Sequence, residues 1–312
     1  LWNNMEFIRK TLDFQVEEPT AVTLGKFDGL HRGHDLLMQT VLEYSKKYDL
    51  ASVAFTFDIP PRNKVEEIVA NVLTTNDEKQ YIFEKRGIDY LIECPFTSEV
   101  MTMEPKAFIA WISKALHMKY VVVGDDFRFG HKRAGDYHTL QEYEEEFGYK
   151  TIVIDKLKDS NRDISSTYVR EKIADGNIKK ANELLGYRYF IKSEILHGRK
   201  LGRTIGVPTI NMILPENKLL PPNGVYVTEV LVDGKTYMGV TNIGCKPTVS
   251  DENIIGVETY IDDFNQDVYG EKIVVSFIQF IRPEQKFDSI EELKSQMKSD
   301  IEVSRKYYKN IT

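Results

Sequence analysis

Thr20-Ala-Val-Thr-Leu-Gly25-Lys-Phe-Asp-Gly-Leu30-His-Arg-Gly-His34 decides how the first half of the chain folds. Its opening residues, 20–25, form the short continuous run expected of a strand buried on both faces. From residue 33 to 48 the apolar positions Leu36, Leu37, Val41, Leu42 and Tyr44 gather on one side, which predicts a helix. A strand that turns through glycines into a helix presents free N–H groups and partial positive charge, a ready site for phosphate. Gly25, Gly29 and Gly33 allow close approach of backbone to a ligand. His31 and His34, three apart at the helix start, share one face and can donate hydrogen bonds to phosphate oxygens. The plain alternative, a glycine-rich turn with two incidental histidines, is disfavoured by the whole string standing at a strand–helix junction.

Working outward, strand patterns at 51–57, 90–94, 120–124 and 151–154 alternate with helical patterns at 77–86, 105–116, 139–147 and 167–185. This alternation predicts a doubly wound parallel sheet whose ligands bind at the carboxyl ends of its strands. Near residue 186 the pattern changes. Strand-like runs follow at 189–196, 225–232, 235–243, 257–261 and 272–281, with Val232-Asp-Gly-Lys235 reading as a tight hairpin. They predict a small antiparallel barrel. A final helix is expected over 289–308, opened by a capping box of Ser289 and Glu292. The expected fold class is therefore α/β plus β. A doubly wound domain over 1–185 precedes a small antiparallel β-barrel with a C-terminal helix over 186–312.

With 42% hydrophobic and 29% charged residues, the 312-residue chain can bury a sizeable core. A net charge of -7 argues against a general nucleic-acid binder, so positive potential must be concentrated locally. Cys94 and Cys245 fit no metal spacing and no disulfide framework, and no stretch reaches the length of a membrane span. A reducing, cytoplasmic setting is the expectation, with no membrane and no nucleic acid among the partners. The oligomeric state is left open, a homo-oligomer included.

Two further segments suit a nucleotide site in the first half. Gly124-Asp-Asp126-Phe127-Arg128-Phe129-Gly130 follows a strand. Ile164-Ser165-Ser166-Thr167-Tyr-Val-Arg170 opens a helix, where the hydroxyls can cap the helix or bind triphosphate oxygens and Arg170 can reach the same phosphates. Taken alone, the first reads equally as a solvated turn and the second as plain capping. In the second half, His197 to Asn211 is a basic, glycine-rich loop in which Gly202, Arg203 and Gly206 could wrap phosphates. Walker A spacing is absent. Thr209 and Asn211, two apart on an extended chain, share one face and offer hard oxygen donors suited to Mg²⁺. Glu258 alternates with Val257 and Thr259 on a strand. Without other information it reads as a solvated strand glutamate.

The histidine string resembles the His-x-Gly-His signature of the nucleotidyltransferases. Gly-x-Phe-Asp-Gly-x-His-x-Gly-His, then Gly-Asp-Asp-Phe-Arg-Phe-Gly, then Ile-Ser-Ser-Thr-x-x-Arg resembles the adenylyltransferase module of bacterial bifunctional riboflavin kinase/FAD synthetases. Gly-Arg-x-x-Gly-x-Pro-Thr-x-Asn at 202–211 looks like the flavokinase signature, and the segment from Val257 to Gly270 looks like the one that holds that family's catalytic glutamate. The resemblance spans about Glu6 to Tyr308. It implies that His31, His34, Ser165 and Arg170 bind the ATP phosphates beside Gly25, Phe27, Asp28, Gly29, Gly33, Ser166 and Thr167. It implies that 124–130 places nucleotide and flavin, that Thr209 and Asn211 hold Mg-nucleotide, and that Glu258 is the base for the ribityl 5′-hydroxyl. Ile210 stands where the family commonly has Ala; its side chain is expected to point to the opposite face. Asn242-Ile-Gly-Cys-Lys-Pro-Thr248 matches a further segment expected to shape the pocket. The implied activity converts riboflavin and ATP to FMN, and FMN and ATP to FAD. Alternatives are a chain keeping one activity, a flavin-binding regulator, or a transferase for a choline- or pantetheine-like phosphate.

Overall fold

In the computed structural model the expected opening strand forms as Thr20–Leu24, with all five residues buried. The structure describes residues 5–58, 71–196, 207–215, 217–246, 254–268 and 270–310. The chain divides into two compact units, Leu1–Ala70 with Thr74–Ser166, and Asn71–Leu73 with Thr167–Thr312.

The first unit runs β1 (Glu6–Arg9), β2 (Thr20–Leu24), α1 (Arg32–Tyr48), β3 (Ala51–Phe57), α2 (Asn76–Arg86), β4 (Tyr90–Cys94), α3 (Ser98–Met101), α4 (Pro105–Ala115) and β5 (Met118–Gly124). A short ribbon of β6 (Arg128–Phe129) and β7 (Gly135–Asp136) follows. Then come α5 (Tyr137–Glu142), α6 (Glu144–Phe147), β8 (Lys150–Ile154) and a second ribbon, β9 (Lys158–Asp159) with β10 (Arg162–Asp163). Among the described residues the main sheet has the order β1-β4-β3-β2-β5-β8, and every neighbouring pair is parallel. From β2 the chain first winds to one side through β3 and β4. It then crosses to the other side for β5 and β8. The strand order therefore reverses at β2 and β5, and ligands in such sheets bind beyond the carboxyl ends at that switch. The carboxyl ends of β2 and β5 are where the 25–34 and 124–130 segments begin.

β1 went unread in the sequence because Glu6-Phe-Ile-Arg9 is four residues with charged ends, too short for a period. The helix expected over 139–147 is two short helices, α5 and α6, meeting at Tyr143. The one expected over 167–185 is also two, α7 (Ser166–Ala174) and α8 (Ile178–Leu185). Asn177 caps α8 by accepting from Lys180 N at 3.2 Å, a local bond that competes with helix continuation.

In the second unit, β11 (Phe190–Leu196), β12 (Thr209–Met212), β13 (Gly224–Val232), β14 (Lys235–Lys246), β15 (Ile254–Ile261) and β16 (Lys272–Arg282) close a barrel in the order β11-β12-β15-β14-β13-β16. All its pairings are antiparallel. Val232 pairs with Lys235 across a two-residue turn with Asp233 and Gly234 both at positive φ, the hairpin expected from Asp-Gly. Inside the barrel, Thr228, Thr241 and Thr259 are fully buried and pass hydrogen bonds hydroxyl to hydroxyl at 2.8 and 2.9 Å. The final helix, Ile290–Lys309, begins at Ser289, whose hydroxyl accepts from Glu292 N at 3.1 Å. The return arm of the box goes instead to Asp288, whose N–H donates to Glu292 Oε2 at 3.2 Å. The helix lays Ile301, Met297 and Tyr308 against Val207, Val225, Met238 and Val240 of the barrel's outer face. Arg282 of β16 pins it by donating to Asp300 through Nε at 3.0 Å and Nη2 at 2.7 Å. Helix α8 belongs to this unit as well: Asn182 donates to Phe277 O at 2.9 Å and accepts from Tyr189 N at 2.7 Å.

Candidate functional site

The 25–34 turn is built on unusual backbone. Phe27, Gly29 and Leu30 all adopt positive φ, at 49°, 79° and 34°. For Phe27 and Leu30 this costs about 1–3 kcal/mol each. Burial offsets it: both side chains are essentially inaccessible, and burying a large apolar side chain is worth about 1.5–3 kcal/mol. The Phe27 ring meets Phe83 of α2 edge-on, with centroids 5.3 Å apart, and His34 at 5.4 Å. Polar bonds complete the fixing. Gly29 N–H donates to Thr74 Oγ1 at 3.0 Å, Thr74 N–H to Asp28 Oδ1 at 3.2 Å, and Ser166 Oγ to the Asp28 carbonyl at 2.7 Å. Phe27 and Gly29 thus serve the turn by packing and bonding within the protein.

Helix α1 starts at Arg32, one residue before the expected Gly33. His31 is its N-cap, with no capping bond from the imidazole. The His31 and His34 rings stack, with centroids 3.9 Å apart and planes 23° off parallel. A side chain at Gly33 would press on the His31 ring, at 3.2 Å from Cε1 and Nδ1. Both Nδ1 atoms are shielded from solvent and have no hydrogen-bond partner among the described residues. Burial holds His31 down to about 4, against the opposing charge of Asp126. Burial, and then the neighbouring His31, hold His34 well below the usual range. Both therefore stand neutral near pH 7, each with one N–H to donate.

That Asp126 acts on His31 brings the second motif to the first. Asp126 itself pairs with Lys156 at 3.1 Å. Phe127 and Phe129 stack at 5.5 Å, and Phe129 is buried against Phe108. Arg128 is exposed, with its guanidinium on the Phe127 carbonyl at 2.9 Å. Gly25 directly follows β2, and Gly124 ends the neighbouring strand β5. Of the third motif, Ser165 and Ser166 lie at the start of α7, and Thr167 is exposed. Arg170, in the second unit, donates to the Asn71 carbonyl. Sequence reading missed Thr74, Lys79 and Phe83. Only Lys79 left a signal: an ionic residue one turn before Phe83, on the side of the helix that carries Ile82 and Phe83.

On the barrel, Glu258 of β15 stands in register with Asn211 of β12 on one side and Asn242 of β14 on the other. Thr209 is in register with Tyr260. Directly opposed residues share a face, so these five residues of three neighbouring strands line the outer surface, while Thr241 and Thr259 point inward. Thr209, Asn242, Glu258 and Tyr260 wall a cavity of about 250 Å³, closed by Arg282, Phe287, Met297 and Asp300. Glu258 is thus a cavity-wall residue, unlike a freely solvated strand glutamate. Gly202, Arg203 and Gly206 lie outside the described residues, as do Pro247 and Thr248. Thr209, Asn211 and Glu258 offer the oxygen-only donor set that fits a hard divalent cation. Among the described residues no group of three or more His, Cys, Asp and Glu could hold a metal by itself.

A family model described as FAD synthetase matches residues 13–168, and one described as riboflavin kinase matches 185–308. The bifunctional riboflavin kinase/FMN adenylyltransferase of Listeria monocytogenes is 34% identical over 303 residues, covering 96% of each chain. That of Escherichia coli K12 is 36% identical over 296 residues, covering 94% of each. A solved structure described as a macrolide-efflux protein from Streptococcus pneumoniae superposes with a TM-score of 0.84 and 32% identity, covering 96% of this chain and 99% of that one. Among the described residues here, no helix is long and apolar enough to cross a membrane. Two domain models in order, and relatives aligned over nearly their whole length, place the chain in the bifunctional riboflavin kinase/FMN adenylyltransferase family.

Proposed function

We propose that the chain phosphorylates riboflavin to FMN on its barrel and adenylylates FMN to FAD at the 25–34 turn, with a functional boundary at 185/186. The observation that carries the reading is Glu258, flanked in register by Asn211 and Asn242 on the wall of a cavity roofed by the C-terminal helix. Riboflavin's ring system occupies that cavity, and the Glu258 carboxylate takes the proton of the 5′-hydroxyl. The freed oxygen forms a bond to the γ-phosphorus of ATP as the bond to the β–γ bridging oxygen breaks, releasing ADP. Thr209 and Asn211 would hold Mg²⁺ with the nucleotide. The ion would supply charge neutralisation on the phosphates.

In the second reaction an FMN phosphate oxygen attacks the α-phosphorus of ATP and pyrophosphate leaves. No hydroxyl proton has to be removed, so the chemistry asks for positioning and for donors where negative charge gathers. Neutral His31 and His34 supply such N–H donors next to the N-terminus of α1. Ser165, Ser166, Thr167 and Arg170 serve the phosphates, and 124–130 the nucleotide and flavin. Any Mg²⁺ in this half would be held through ATP. A cytoplasmic location suits both substrates and the two free cysteines.

Product analysis tests the reading. Chain mixed with riboflavin, ATP and Mg²⁺ yields FMN with ADP first, then FAD with pyrophosphate. If no FMN forms, the kinase assignment fails; if FMN accumulates without FAD, the transferase assignment fails.

A further inference from the structure

Helix α2 turns one face toward the nucleotide turn, and that face carries a lysine. Glu78, Lys79, Ile82 and Phe83 are its buried residues. Lys79 is 1% exposed, and its Nζ has no hydrogen-bond partner among the described residues. Lysine is almost never buried in this way without a compensating charge. Three carboxylates act on its charge, Glu93 of β4 most, then Asp28 of the nucleotide turn and Asp58 just after β3. Burial lowers its proton affinity and these charges restore part of it. They come from the carboxyl ends of β2, β3 and β4, the side of the sheet where its ligands bind. One helical turn on, Phe83 packs on Phe27. A single face of α2 therefore grips consecutive residues of the strained turn, Phe27 by an aromatic edge and Asp28 by charge. Asp28 in turn accepts from Thr74 N–H, and its carbonyl from Ser166. His31 lies three residues further along.

We propose that Lys79 is a positioning residue for adenylyl transfer, acting through the Asp28 carboxylate to hold the 27–31 turn and with it the His31–His34 pair. The inference rests on the proposed role of those histidines.

The test uses the full chain, with its kinase activity as the internal control for folding. Lys79→Met keeps the length and removes the charge. Adenylylation kcat should fall about tenfold or more, while KM for ATP and FMN changes less than about threefold. Kinase kcat should stay within about twofold. Lys79→Arg, which keeps the charge, should retain adenylylation within about fivefold. Asp28→Asn combined with Lys79→Met should lose no more than the worse single variant, since the two remove one charge interaction. Adenylylation within about twofold of the parent in Lys79→Met overturns the proposal, and so do multiplicative losses in the double variant. If Lys79→Met does not fold, Lys79→Arg decides: intact kinase with adenylylation lost beyond about fivefold overturns it. His31→Ala separates the two levels. If that variant adenylylates normally, the histidine reading fails. If it is inactive while Lys79→Met is unimpaired, only the lysine proposal fails.

Discussion

His31 and His34 reach one another within a single helical turn, whereas Asn211, Glu258 and Asn242 come from three strands and meet only through register. The first site is a strained loop held by a few contacts: Phe27 on Phe83, Thr74 with Asp28 and Gly29, and Ser166 on the Asp28 carbonyl. The second is a row on a closed barrel, where every strand is paired on both sides and an inner threonine ladder is fully bonded. Loss of a side chain should therefore act differently in the two places. On the barrel it removes chemistry and leaves geometry. In the turn it disturbs both.

The largest effect expected is at Glu258. Glu258→Ala should lower riboflavin phosphorylation by about 10²–10⁴-fold, the range for a lost general base. Riboflavin binding, followed by flavin fluorescence, should persist, and adenylylation of added FMN should be unchanged. Substantial turnover would refute the base role. Next comes His31→Ala, for which adenylylation should fall by about 10²–10³-fold, as when one donor to a developing negative charge is removed. The kinase rate of the same protein should be spared. Equal loss of both activities would mean that the turn supports the whole chain and is no separate site.

Acid sharpens the contrast. His31 is held near 4, below its ordinary 6.5, by burial. Above pH 6.5 both folded and unfolded chains carry it neutral, and its full contribution to stability is present. As pH falls from 6.5 to 4 the unfolded chain takes up the proton first, so stability is lost through that window and then levels off. The loss is roughly 3 kcal/mol from His31, with His34 acting in the same direction. Urea unfolding at several pH values, in the parent and in His31→Gln, should show this slope shrinking in the variant. Adenylylation should show no histidine limb between pH 6.5 and 8. The smallest effect concerns the roof of the barrel cavity. Asp300→Asn weakens the paired bonds from Arg282, which should cost about 2 kcal/mol in thermal unfolding. The KM for riboflavin should rise several-fold, with adenylylation unaltered.

Much of this was legible in the residues. The 20–34 string, the Asp-Gly hairpin and the alternation of patterns were enough for a doubly wound sheet followed by a barrel, because each is a local preference. Strand β1 and the breaks inside the 139–147 and 167–185 helices were not legible: four residues carry no period, the second helix breaks at a local side-chain cap on Asn177, and the first breaks at Tyr143 with no capping side chain to mark it. Phe27 shows the same boundary at one residue. Its place in a ligand motif was readable, but its full burial under Phe83 was not.

By itself the sequence determined which residue types stand ready at the 25–34 and 209–211 segments, and that Glu258 lies on a strand. Spacing along the chain controls which side chains share a face of one element. Tertiary structure alone decided that β2 and β5 lie side by side at the reversal of strand order, that Asn211, Glu258 and Asn242 form one row, and that this row faces outward beneath the C-terminal helix. The reason is that strand order and register are settled by the packing of the whole sheet. A shift of one residue would turn Glu258 into the barrel and Thr259 out of it.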